Sequence, residues 1–230
     1  IASGAVLQYL YETQKNDLSH LTKITPYTTG QFMMIDTSTR RNLELVETLR
    51  EKQKRGSLLW VLDKTKTAMG ARLLRSFIEQ PLIDKTEIER RQQAIEELNM
   101  NYISREELCE YLNPIYDLER LTGRISYRTA NPRDLIAFGN SLAMIKYIKQ
   151  ILQEFSGELL KNLEAALDPL ADLKELIDKA IVEEPPITVR EGGIIKEGYH
   201  EEADRLRHAK TEGKDWLAQL EQSEREKTGI

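Results

Sequence analysis

The sequence predicts a mainly α-helical protein, with a multi-helix core and a small β-hairpin that leads into one long helix. Three observations support this fold class. Apolar residues recur at helical spacing along most of the 230 residues. Strand-like runs are few and short, and the best of them contains a glycine pair that is typical of a turn. The last stretch carries a sparse apolar seam at heptad spacing.

Helix start signals stand before three segments of the predicted core. Asp36 precedes the segment TSTRRNLELVETLR, and Asp84 precedes KTEIERRQQAIEEL. Asn131 with Pro132 opens the segment that continues as RDLIAFGNSLAMIKYIKQILQEF. Asp and Asn accept hydrogen bonds from the first free amides of a helix, and proline suits its first turn. We therefore expect three core-facing helices that begin at these residues.

The run KTKTAMG admits a phosphate-binding interpretation and a structural one. Asp63, Thr65 and Thr67 have short oxygen-bearing side chains placed just before an apolar helical segment that starts near Met69. Such residues commonly cap helices. We favour the capping interpretation.

Two stretches have the β-branched or apolar character of strands. The first is QFMMI, which ends just before Asp36, and the second is PPITVREGGIIKEGY. In the second, two short runs flank Gly192 and Gly193, which predicts a small hairpin. Gly198 is expected at the corner between the hairpin and the long helix.

The long helix is predicted from Tyr199 to about Lys227. Its seam consists of residues that alternate four and three apart: Tyr199, Ala203, Leu206, Lys210, Gly213, Leu217 and Leu220. Few other positions are apolar, so most of this helix should face water and the seam should face one partner helix.

The charge, the cysteine content and the apolar runs of the sequence exclude several classes of protein. The chain has 33 basic and 38 acidic residues, a net charge of −5 that excludes a polybasic nucleic-acid module. Cys109 is the single cysteine, which fits a reducing cytosol and predicts a cytoplasmic protein. The amino end IASGAVLQYL does not have the basic region typical of a signal peptide, and the sequence has no twenty-residue apolar run. It begins at Ile1, so we expect a fragment of a longer protein.

No pattern of catalytic or metal-binding residues is recognisable. Gly193 and Gly198 have the glycine spacing of the phosphate loop G-x-x-x-x-G-K-[ST], but Tyr199 and His200 replace its lysine and hydroxyl residue. The three histidines are too dispersed for a metal site. We expect no catalytic residue, no metal site, no nucleotide site and no cofactor in this chain.

Two basic clusters are candidates for phosphate contact. The loop REKQKRG contains Arg50, Lys52, Lys54 and Arg55, which could touch DNA phosphates without sequence preference. A solvated loop is the alternative. Arg120, Arg124 and Arg128 recur every four residues, and we favour an ion-paired helix face over a phosphate-binding stripe.

Six segments in order resemble the core domain of the MutS family of mismatch-recognition ATPases. The longest is GSLLWVLDKTKTAMGARLLRSFIEQPL, at residues 56–82. The others are TRRNLEL, DLER, ANPRDL, GGIIKEGY and EREKTGI. Any one of them is weak evidence, but six in the right order cover nearly the whole chain. Ala203 and Phe77 stand where the family usually has leucine and tryptophan.

The resemblance implies a core that joins a mispair-binding domain and an ATPase domain through two long lever helices, which end in a DNA-gripping clamp. This chain contains no Phe-x-Glu wedge and no phosphate loop. The resemblance also implies that Gly192, Gly193, Gly198 and Tyr199 form the foot of the ascending lever, and that Leu206, Leu217 and Leu220 pack its seam. EREKTGI then marks the entry into the clamp.

These implications divide the chain into three parts. Residues 1–30 would end a connector domain, residues 31–185 form the helical core, and residues 186–230 form the hairpin and the lever. The parent protein would bind ATP and Mg²⁺, contact mismatched duplex DNA and form a homodimer, whereas this part has no activity alone. The rival hypothesis is a free-standing helical scaffold that pairs through the long helix and has no DNA role.

Overall fold

The computed structural model describes residues 2–14, 18, 21, 23 and 29–228. The first helix is α1 (Ala2–Gln14). A 3₁₀ turn at Thr29–Gln31 leads to three short or medium helices, which are α2 (Thr37–Asn42), α3 (Leu58–Leu62) and α4 (Ala68–Glu79). Then come α5 (Lys85–Met100), α6 (Tyr102–Leu112), α7 (Leu118–Ser126), α8 (Pro132–Leu152), α9 (Glu158–Ala166), α10 (Ala171–Ala180) and α11 (Glu201–Thr228). The predicted mainly helical class is confirmed.

The predicted caps explain where several helices begin. The Asp84 carboxylate accepts from the amides of Thr86 and Glu87 at 2.8 and 3.4 Å. Asn131 and Asp134 form a reciprocal capping box at the start of α8. Thr67 caps α4 through the amide of Gly70 at 3.0 Å, so the structural interpretation of KTKTAMG is correct.

The helix predicted after Asp36 is much shorter than expected. Asp36 caps α2 through the Thr39 amide at 2.7 Å, but α2 ends at Asn42. Glu44 then adopts a left-handed φ of 49°, and its carboxylate accepts from the Leu49 amide at 2.6 Å. A left-handed residue ends an α-helix, so the apolar residues beyond Asn42 follow a turn.

The hydrophobic core lies between α5, α6, α8 and α9. Its buried residues are Ala94, Leu108, Ile148, Ile151, Leu152, Phe155 and Leu160. Helix α8 also packs against α7 and α10. Gly139 permits the close approach of α10, because a Cβ there would lie 3.3 Å from Ile177 Cγ2. Helix α8 thus contacts α6, α7, α9 and α10 and lies at the centre of the core.

The predicted β-hairpin is wrong. Within 186–198 the chain forms a 3₁₀ turn at Val189–Glu191, and Ile195 makes an isolated antiparallel bridge with Ile181. The Thr188 hydroxyl and amide both bond to the Glu191 carboxylate, which folds the first β-branched run into a turn. The second run therefore pairs with the end of α10 instead. The predicted strand QFMMI is likewise reduced to one bridge, between Phe32 and Leu82.

Candidate functional site

The loop before α11 contains the three glycines that the sequence analysis selected. Gly192, Gly193 and Gly198 have φ values of 75°, 69° and 83°, in the left-handed region. A Cβ at any of the three would meet no atom within 4 Å. Glycine is therefore favoured here by backbone conformation and not by lack of space.

Backbone pairing fastens this loop to the end of α10. The amide of Val182 donates to the carbonyl of Ile194 at 3.0 Å, and the amide of Lys196 donates to the carbonyl of Ala180 at 2.9 Å. The Lys196 ammonium also donates to the carbonyl of Asp178 at 2.7 Å. Since α10 packs on α8, the loop is tied to the core.

Two charged residues in the first turns of α11 hold the helix to the same loop. The Asp204 carboxylate accepts from the Gly198 amide at 2.7 Å and from Arg207 Nη1 at 3.1 Å. Arg207 Nη2 donates to the Ile195 carbonyl at 2.8 Å. We call Gly198, Asp204, Arg207 and Ile195 the helix foot. A carboxylate near a helix N-terminus is also stabilised by the helix dipole.

Asp204 and Arg207 were not predicted from the sequence. Their spacing of three residues is a common ion-pair spacing, and nothing local in the sequence indicates that Arg207 also reaches the Ile195 carbonyl. A further contact in the same place joins His208 Nε2 to Glu197 at 3.3 Å. The assignment of Gly192, Gly193, Gly198 and Tyr199 to a lever foot remains a prediction.

The predicted seam of α11 is exposed. Leu206, Leu217 and Leu220 are 63%, 58% and 41% accessible, and Trp216 is 61% accessible. The structure therefore does not bury these leucines against another described helix. Their function as a packing seam remains a prediction.

The basic loop lies between α2 and α3. Arg50, Lys52 and Arg55 are exposed, whereas Lys54 forms an ion pair with Asp63. The Lys54 ammonium, with the Thr65 hydroxyl, lowers the pKa of Asp63 to about 2. Contact of the loop with DNA stays a prediction, and Lys54 would have to leave Asp63 to take part.

Two of the three arginines that recur at 120, 124 and 128 form ion pairs. Arg120 Nε lies 3.3 Å from Asp117, and Arg124 Nη1 lies 2.9 Å from Asp134. These contacts favour the ion-paired interpretation of the stripe.

Within the described part of the chain, no three His, Cys, Asp or Glu side chains are grouped so as to hold a metal ion. None of the described helices is long and apolar enough to cross a membrane.

The fold and the helix foot define a helical core domain that carries one long, largely exposed terminal helix. The sequence profile of the family described as MutS domain III matches residues 38–228. The chain belongs to this family, as its motifs indicated.

The curated relatives agree with this assignment. A protein of Lachnoclostridium phytofermentans named DNA mismatch repair protein MutS is 67% identical over 229 residues, which is all of this chain and 25% of the relative. Proteins with the same name from Ruminiclostridium cellulolyticum and Halothermothrix orenii are 54% and 50% identical, and the chain covers 26% of each. The chain thus spans about a quarter of the length of these relatives.

Proposed function

We propose that this chain is the central part of a DNA mismatch repair protein, in which it couples a DNA-gripping clamp to an ATPase domain. Membership in the MutS domain III family and relatives named for mismatch repair support the proposal. The chain itself supplies no catalytic group in this proposal. Mismatched duplex DNA, ATP and Mg²⁺ would be bound by other parts of the protein, which would act as a homodimer.

The observation that carries the coupling proposal is the attachment of α11 at one end. The helix has 28 residues, so it extends about 40 Å at 1.5 Å per residue. Its foot is bonded to the loop that pairs with α10. A stiff helix that is fixed at its base can carry a displacement of the core to its far end, or the reverse.

The experiment compares two neighbouring arginines in the full-length parent protein. Arg207→Ala removes the bond to the Ile195 carbonyl, and Arg205→Ala removes an exposed arginine two residues away. We expect both variants to bind a mispair, whereas Arg207→Ala should slow ATP-driven release from DNA about tenfold, as for an activation barrier raised by about 1.4 kcal/mol. Release kinetics by stopped-flow fluorescence measures this. Equal release by the two variants would refute coupling through the helix foot.

The scaffold hypothesis retains one supporting observation, which is the exposure of Leu206, Leu217 and Leu220. A scaffold would use these leucines to pair with a second copy of the chain. Sedimentation velocity of the chain and of Leu217→Glu distinguishes the two proposals. A submicromolar dimer that the substitution dissociates would favour the scaffold.

A further inference from the structure

The buried core cluster between α5, α6, α8 and α9 contains no residue before Ala94. Residues 29–83, which we call the outer layer, have buried leucines of their own. Leu45 and Leu59 are 7% and 4% exposed, and the Leu59 amide donates to the Leu45 carbonyl at 2.9 Å. Neither leucine belongs to the core cluster.

The outer layer also closes on itself through its backbone. The Met33 amide donates to the Pro81 carbonyl at 2.8 Å, and the Ile83 amide donates to the Gln31 carbonyl at 3.2 Å. These bonds join the beginning of the layer to its end. The layer thus has a closed backbone and buried leucines, which favour its opening as a local unit.

Arg72 on α4 joins this layer to the core. Its Nη1 and Nη2 donate to the two carboxylate oxygens of Asp117 at 2.7 and 2.8 Å. Its Nε donates to Glu119 at 3.0 Å, and Nη2 contacts the same carboxylate. Paired N–H groups facing one carboxylate form the strongest and most directional kind of ion pair.

The Asp117 carboxylate is oriented by a contact within the core that does not involve Arg72. Its carboxylate caps α7 by accepting from the Arg120 amide at 3.3 Å, and its side chain is only 17% exposed. Arg72, by contrast, is 41% exposed. The acceptor is thus fixed on the core, while the donor belongs to the layer and is reached by solvent and salt.

An aromatic ring on α4 also contacts the core. Phe77 lies beneath the Arg91 guanidinium of α5, with 3.9 Å from Cζ to the ring centroid. Leu73 is 55% exposed, whereas Met69, Leu74 and Ile78 are half-buried. An arginine therefore takes part in both of these contacts between α4 and the core.

We propose that Arg72 is a releasable ionic clamp, and that when its bonds to Asp117 and Glu119 break, the outer layer separates from the core while both keep their folds. The inference does not depend on the proposed repair function. It follows from an outer layer that has its own backbone closure and buried leucines and is joined to the core through a half-exposed charged contact. Salt weakens such contacts, whereas it leaves buried apolar contacts in place.

Hydrogen exchange on the 230-residue chain tests the clamp. Arg72→Ala is compared with Arg75→Ala, a matched control on the same helix whose partner, Glu79, is also on α4. We expect amides of 68–79 to exchange about fivefold faster in Arg72→Ala than in Arg75→Ala, with α8 unchanged. Raising salt from about 0.05 to 0.5 M should accelerate the same amides in the parent chain and have little effect in Arg72→Ala.

Asp117→Asn provides a second test that keeps the helix cap, because asparagine caps as well as aspartate. It should reproduce the exchange pattern of Arg72→Ala. Equal exchange in Arg72→Ala and Arg75→Ala would overturn the clamp. Loss of protection in α4 and α8 together, in both clamp variants, would show one cooperative unit and would also overturn it.

Discussion

Single carboxylates connect distant parts of this chain by accepting from backbone amides. Glu97 on α5 is the clearest case. It accepts from the Ser156 amide at 2.6 Å, the Ser156 hydroxyl at 2.9 Å and the Gly157 amide at 2.9 Å. Helix α9 has no side-chain cap of its own, and Glu97 from another helix accepts from the two amides that immediately precede it. The Ser156 and Gly157 amides lower the pKa of Glu97 from its ordinary value of 4.5.

Glu97→Gln should therefore destabilise the fold in a pH-dependent way. A carboxyl whose pKa is lowered by folding stabilises the protein above its ordinary pKa, and this contribution disappears as the pH falls below about 4.5. We expect the urea midpoint of Glu97→Gln to lie below that of the parent at pH 7, and the difference to shrink towards pH 3.

Glu96→Gln is the matched control, since Glu96 is the exposed neighbour on the same helix. It should leave the midpoint unchanged at both pH values. A pH-independent difference for Glu97→Gln would contradict the assignment of its carboxylate as the cap of α9.

At the scale of elements, α11 differs from the other helices in how it is held. Helix α8 has buried residues from its first turn to its last, including Pro132, Leu142 and Leu152. The described bonds from α11 to the rest of the chain lie near its beginning, at Asp204, Arg207 and His208. Helical stability in proteins comes mainly from a packed face, so the two ends of α11 should differ in stability.

We predict fast amide exchange in α11 from about Gly213 onward in dilute monomer. Gly213 costs about 1 kcal/mol relative to alanine in a helix, and Leu217 and Leu220 are exposed. Exchange measured by mass spectrometry should show protection near Arg207 and little beyond Gly213. In the full-length parent, protection should extend through Leu220, because a returning helix would cover the seam.

Slow exchange through Leu220 in a chain shown to be monomeric would contradict this prediction. Gly213→Ala is a useful companion variant, as it raises helix propensity without adding a partner. It should slow exchange near the substitution only modestly, whereas the addition of a packed partner should slow exchange along the whole distal half.

At the scale of the whole molecule, stability should be concentrated in the α5 to α9 cluster. Phe155 is 1% exposed and lies within the buried cluster, and Tyr111 and Tyr147 stack nearby with ring centroids 5.0 Å apart. The buried Ser141 hydroxyl accepts from the Tyr116 amide at 3.0 Å, which fastens the α6–α7 connection to α8. This cluster includes α8, on which α10 packs, and α10 in turn holds the loop of the helix foot.

Phe155→Ala should reduce the free energy of unfolding by about 3–5 kcal/mol, because it leaves a cavity in a packed core. Urea denaturation with an unchanged m-value measures this loss. Leu163→Ala is the control, since Leu163 is 49% exposed on α9, and it should cost about 1 kcal/mol or less. Equal losses in the two variants would show that Phe155 is not central to the core.

Binding of duplex DNA by this chain alone should be weak, dependent on salt and indifferent to a mispair. The net charge is −5, and the exposed residues Arg50, Lys52 and Arg55 are the candidate contacts. Replacement of all three by alanine should reduce the magnitude of the slope of log K against log salt concentration by up to about 3. Each lost phosphate contact reduces this slope by about 0.9.

A control triple at exposed Lys85, Lys161 and Lys179 should leave that slope nearly unchanged. Fluorescence anisotropy over a salt series makes the comparison. Two outcomes would refute the prediction. One is a tenfold preference for a G·T duplex, and the other is equal slopes for the two triple variants.

The sequence by itself determined the helical class, the family and several helix starts. Asp84, Thr67 and Asn131 could be predicted as caps because each bonds to an amide two or three residues away, within reach of a local pattern. The left-handed backbone at Gly192, Gly193 and Gly198 follows the same logic, since glycine favours such turns. The division into domains and the lever interpretation remain predictions.

Only the tertiary structure decided which distant groups meet. Ile195 pairs with Ile181 instead of completing a hairpin, because Thr188 and Glu191 fold the first run into a turn. Arg72 reaches Asp117 across 45 positions, and Glu97 reaches Ser156 across 59. A short sequence pattern does not predict how a helix is oriented or which helix it packs against. The Glu97 contact arises because packing of α5, α6, α8 and α9 around one buried cluster places the end of α5 beside the start of α9.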